Sequence, residues 1–227
     1  MSKYDTINLM KRHRFRSEIV IFSAFFLLIL LPNILAQFFT SSIDAFSVWT
    51  FPISAFLDFL LALILVYLFF EKPVYKPFIF RIILPATFCC CILFCISLIF
   101  KFLAVVLPLG PDSDISVSLP GTFIEWIFCI LQFVFAAFTE EVFFRFYLPE
   151  TLLTWCKDKY DKKLYFILIE IFSMFIFATG HFYLGFYSVL NAAVAQYILR
   201  FVYKKTHSII PGFLAHFAYN IIFLILL

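Results

Sequence analysis

Three short clusters in this chain combine residue types that could do chemistry. The first is Phe138-Thr139-Glu140-Glu141-Val142-Phe143-Phe144-Arg145. On a helix, Glu141 and Arg145 are four apart, share a face and can neutralise each other. Glu140 points about 100° away, so Arg145 cannot easily serve both carboxylates. One carboxylate is then structural and the other is free for work. The plainer alternative is a double anchor at the cytoplasmic interface. The second cluster closes an apolar run with His181, in Phe177-Ala178-Thr179-Gly180-His181, and the third is His216-Phe217-Ala218-Tyr219-Asn220, whose His216 and Asn220 face one side of a helix. A single histidine in such surroundings is more often a helix-to-helix contact than a catalyst. Two histidines, a matched Asn and a spare glutamate make that bland reading less favourable. A carboxylate out of water is a stronger base, and imidazole and amide groups are hydrogen-bond donors, so the set has the residue types of a reactive site. Zinc is the alternative, because Glu140, His181 and His216 would make a three-ligand set with one open position for water. No H-E-x-x-H occurs and the spacing demands no metal, so no cofactor is favoured.

These residues must be carried by membrane helices. Of the 227 residues, 64 % are hydrophobic, 36 are Phe and only 14 % are charged. A soluble domain runs near 45–50 % apolar and about 25 % charged. Disorder, collagen and a secreted disulfide scaffold are excluded, and five glycines leave no material for a phosphate loop. The expected fold is an all-α transmembrane bundle of about seven spans, each near 20 residues long. They are Ile19–Ala36, Val48–Phe70, Ile82–Phe100, Thr122–Leu148, Leu164–Phe182, Tyr183–Val202 and Ser208–Leu227. The organisation expected is a basic arm (1–18), three helices without a chemical motif (19–121) and a catalytic core (122–227). Five of the six cysteines lie in apolar runs without C-x-x-C pairs and read as packing residues.

Fifteen of the 17 basic residues fall in the N-terminal arm and in the second, fourth and sixth connections. The positive-inside rule then places the N-terminus in the cytoplasm and the C-terminus outside. Asp58, Glu125 and Glu170 also lie at or within spans, each solitary, and could pair with another helix, sit near an interface or carry function. The first apolar run is too long for a cleaved signal and is expected to stay as an anchor. A compact chain without a targeting peptide suggests the inner membrane of a bacterium. One difficulty stands out: Glu140 lies near the cytoplasmic end of the fourth span, whereas His181 comes about 25 Å along the fifth. They can meet if the fifth helix begins in the cytoplasm, with Glu170 near the interface; a break at Thr179-Gly180 or a thinned bundle would also help.

At these three clusters the sequence resembles the CPBP family of intramembrane endopeptidases, the CAAX-protease and bacteriocin-processing family. Its pattern of E-E-x-x-x-R, F-x-x-x-H and H-x-x-x-N is matched in order over about residues 120–227. The resemblance implies hydrolysis of a hydrophobic, sometimes lipidated, peptide or protein substrate beside membrane lipid, with no nucleic-acid partner. In bacteria it implies peptide maturation, sorting-signal processing or bacteriocin self-immunity. It makes Glu140 the base that activates water, with Glu141 and Arg145 holding the helix and tuning that base. His181 would hold the water or polarise the carbonyl, and His216 and Asn220 would stabilise the oxyanion. Motifs of serine, aspartyl and H-E-x-x-H membrane proteases are absent. The rival reading is a non-catalytic immunity protein or a transporter, although no repeat of the kind many transporters show is visible.

Overall fold

The computed structural model describes residues 19–24, 49–69, 79–107, 118–156 and 162–226. The chain separates into two compact units, Met1–Ser41 and Ser42–Leu227. In the first, residues 19–24 are helical, at the start of the first expected span. The basic arm, the rest of that span and Lys72 and Lys76 lie outside the described residues.

The second unit is built from α1 (Ile53–Phe69), α2 (Ile79–Val106), α3 (Phe123–Glu140), α4 (Leu148–Trp155), α5 (Lys162–Thr179), α6 (Phe186–Thr206) and α7 (Ile210–Leu226). A π-helical segment, Glu141–Tyr147, joins α3 to α4, and a 3-10 turn, Phe182–Leu184, lies between α5 and α6. No strand occurs among the described residues, as expected for an all-α chain. Helix α2 packs against α6 and α7, α1 against α3, and α5 against α6. Phenylalanines fill the α1–α3 seam: Phe59 meets Phe135 and Phe138 with ring centroids 5.0 and 5.1 Å apart. The outward faces stay apolar, with Leu57, Ile64, Leu84, Phe88, Ile99 and Phe175 all exposed. A surface of that kind suits lipid rather than water.

Two described helical runs are long and apolar enough to cross a membrane, Ile79–Val106 and the continuous Phe123–Trp155. Helices Ile53–Phe69 and Ile210–Leu226 are apolar but shorter. The run that begins at Phe123 extends well past the Leu148 boundary expected from hydropathy. Its start is fixed by Thr122 and Glu125, each side chain meeting the other's backbone N–H at 3.3 and 3.1 Å. This capping box explains Glu125 as a structural acid. Helix α5 stops at Thr179, near the break anticipated at Thr179-Gly180, and Gly185 turns the chain into α6 with φ 93° and ψ 170°. That backbone region is essentially restricted to glycine.

Candidate active site

Glu140 is the last residue of α3 and Glu141 opens the π-helical segment, so the pair straddles a change in helix geometry. Glu141 faces inward with its side chain 1 % exposed, whereas that of Glu140 is 28 % exposed. Arg145, wholly buried, lies with Nε 3.3 Å from Glu141 Oε1, and its Nη1 donates to the Glu140 carbonyl at 3.2 Å. Its guanidinium carbon also stands 4.1 Å from the centroid of the Phe177 ring. The structure therefore gives Arg145 to Glu141, as the i, i+4 spacing requires, and leaves the Glu140 carboxylate outside that pair.

His216 links the two acids. Its Nδ1 is 3.1 Å from Glu141 Oε1, and its Nε2 is 3.7 Å from Glu140 Oε2. A carboxylate at Glu141 can only accept, so Nδ1 carries the proton of that hydrogen bond and Nε2 faces Glu140. His181 follows the end of α5. Its Nδ1 donates to the Phe177 carbonyl at 3.1 Å, which leaves Nε2 for another partner. The Phe177 ring packs on both Phe144 and His181, with centroids 5.1 and 4.8 Å apart. One phenylalanine thus supports the arginine, the π-helical segment and the histidine together. Asn220 stands one turn beyond His216 on α7, half-buried, and its amide makes no hydrogen bond to the other described residues.

The depth difficulty is removed by the length of the helix that carries Glu140. Fifteen residues follow Glu140 before the run ends at Trp155, about 23 Å of rise. Helix α5 climbs about 26 Å from Lys162 to Thr179, just before His181. Counted from the shared α4–α5 end, the two residues reach similar heights.

Several residues that shape the site carry no motif. Gly212, in the first turn of α7, faces Glu141: a Cβ there would lie 2.4 Å from Glu141 Oε2. A larger residue at 212 would have to displace the outer oxygen of the carboxylate that Arg145 and His216 hold by Oε1. Ser173 and Gln196 donate to the Phe144 carbonyl at 3.1 and 3.0 Å. Arg200 donates to the Arg145 carbonyl at 2.6 Å. It also grips Glu170 through Nε and Nη2, and Glu150 through Nη1 at 2.8 Å. Glu170 is therefore an ion-pair partner, not a solitary acid. Buried polar residues within apolar runs were the available signal for Ser173, Gln196 and Arg200. Asp58 is half-buried on α1, and no ion pair to it occurs among the described residues.

Glu140, His181 and His216 are the residues to test for a metal. Among the described residues no group of three or more His, Cys, Asp or Glu side chains is arranged to hold one. Both ends of the His216 ring are already directed at carboxylates.

Residues 120–222 match the model of a protein family described as type II CAAX prenyl endopeptidase Rce1-like. The match contains Glu140, Glu141, Arg145, His181, His216 and Asn220, and stops short of the first three expected spans. No curated protein and no solved structure matches the chain.

Proposed function

We propose, on the premise that residues 120–222 belong to the CPBP family of CAAX-type endopeptidases, that this membrane protein cleaves a hydrophobic or lipidated peptide by glutamate-activated water. The observation that supports this most is the unequal state of the two adjacent glutamates. Glu141 is committed to Arg145 and His216, while the partly exposed Glu140 lies outside that ion pair, with His216 Nε2 3.7 Å from it.

In this reading Glu140 takes a proton from water as its oxygen attacks the scissile carbonyl. The free Nε2 of His181 orients that water. The Asn220 amide, on the same face of α7 as His216, donates to the oxyanion, with His216 beside it. Collapse of the tetrahedral intermediate breaks the C–N bond, and Glu140 returns its proton to the departing amine. Glu141, Arg145 and Phe177 keep the base and both histidines in register. The apolar surroundings exclude bulk water and suit an apolar or lipid-bearing substrate.

The test uses the purified full chain and an internally quenched peptide ending in the CAAX pattern, with and without a prenyl group. Glu140→Gln should remain folded and lose cleavage, and Asn220→Ala should lower kcat about 10²–10³-fold. Chelators should leave activity intact. A Glu140→Gln variant that cleaves normally would overturn the reading. A tightly bound zinc whose removal abolishes activity, and whose return restores it, would replace the metal-free chemistry.

A further inference from the structure

A π-helical turn widens the backbone, because each N–H reaches five residues back instead of four. Here the Leu148 N–H donates to the Phe143 carbonyl across that interval. The carbonyls that follow fall out of step with the α-helical ladder, and in an apolar interior they need donors. Two consecutive ones receive side chains from other helices. The Phe144 carbonyl accepts from Ser173 Oγ at 3.1 Å and from Gln196 Nε2 at 3.0 Å. The Arg145 carbonyl accepts from Arg200 Nη1 at 2.6 Å. Ser173, Gln196 and Arg200 are all buried.

An unbroken α-helix would satisfy the Phe144 carbonyl with the Leu148 N–H, but not the Arg145 carbonyl, because the residue four beyond it is Pro149, which has no N–H. Such a helix would also rotate residues beyond Glu140 about the helix axis and change which faces Glu141 and Arg145 present. Ser173 and Gln196 are thus redundant for an α-helix and needed for the wide turn, in which the Leu148 N–H goes to Phe143 and the residue five beyond Phe144 is Pro149. Arg200 supplies the donor that Pro149 lacks. Gln196 Nε2 lies 3.3 Å from Ser173 Oγ, so the two act as one clasp. Arg200 is itself oriented by Glu170, to which Nε donates at 3.1 Å, and by Glu150.

We propose that Ser173 and Gln196 are positioning residues that lock the π-helical turn, so that Glu141 reaches His216 Nδ1 while Glu140 faces Nε2 of the same ring. The effect on turnover rests on the hydrolytic reading above; the effect on the His216 environment does not.

The full chain carrying ¹⁵N-histidine is compared in detergent with Ser173→Ala, Gln196→Leu and Ser173→Thr, the His216 signals being assigned by their loss in His216→Ala. Ser173→Ala and Gln196→Leu should move the His216 Nδ1 signal toward its position in Glu141→Gln. With the quenched peptide, kcat should fall about tenfold to a hundredfold while KM holds, since small misplacements near reacting groups cost this much. Ser173→Thr, which keeps the hydroxyl, should retain both properties. Unchanged His216 signals in folded Ser173→Ala, or in folded Gln196→Leu, would overturn the proposal. If the wild-type chain cleaves no peptide, the hydrolytic reading fails and the histidine signals alone decide this one.

Discussion

Glu141 meets three demands at once: an ion pair with Arg145, a hydrogen bond from His216 and a close approach to Gly212. A buried charge that loses its partner typically costs about 3–5 kcal/mol. Glu141→Gln and Arg145→Ala should therefore lower folded yield and thermal stability as well as activity. Glu140→Gln should leave both stability measures near wild type, because its carboxylate is partly exposed and outside the ion pair. Equal losses of folded yield from the two glutamate changes would show that Glu140 is structural too. Gly212→Ala tests the same carboxylate from the other helix. The new methyl must push Oε2 aside, and a flexible side-chain end can yield. Activity should thus fall more than melting temperature, measured on one purified sample.

The helical run from Phe123 to Trp155 places Glu140 in its interior, and the turn after α5 brings His181 back toward it. That turn needs particular backbone conformations. Gly185, at φ 93° and ψ 170°, occupies a region where other residues store about 1–3 kcal/mol of strain. Gly185→Ala should lower thermal stability by that order and reduce activity through His181, four residues earlier. A variant as stable as wild type would mean that the turn relaxes without strain. At the far end of α6, His207 closes the helix in the left-handed region, its N–H donating to the Tyr203 carbonyl at 2.7 Å. It lies apart from the site residues, in keeping with its place in a basic connection.

Among the described residues the outward faces are apolar, and Arg200, expected in a basic connection, is instead buried within α6; the remaining basic residues of the expected connections still allow a topology test. Reporter fusions after Lys76 and Lys163 should report cytoplasm, and fusions after Asp44 and at the C-terminus the outer side. A cytoplasmic C-terminus would sink the seven-span arrangement. The same topology would direct Lys157 and Lys159, and the α5 start at Lys162 and Lys163, toward the cytoplasm.

Composition alone excluded a water-soluble fold, since too little polar surface exists to cover one. Spacing alone paired Glu141 with Arg145, because residues four apart on a helix share a face. The order of the three clusters carried the family resemblance over the C-terminal half. The π-helical turn was invisible in the sequence, since its residues have no composition that separates them from an α-helix. So were the docking of Gly212 on Glu141 and the grip of Ser173, Gln196 and Arg200 on successive carbonyls. Each depends on contacts between helices distant in sequence, which a local pattern cannot encode. The height of Glu140 was misjudged for a related reason: hydropathy marks where apolar residues end, and this helix continues through Glu150 because Arg200 and Glu170 hold that polar stretch against α5 and α6. The pairing of Arg200 with Glu150 joins residues 50 apart in the chain, which hydropathy cannot register.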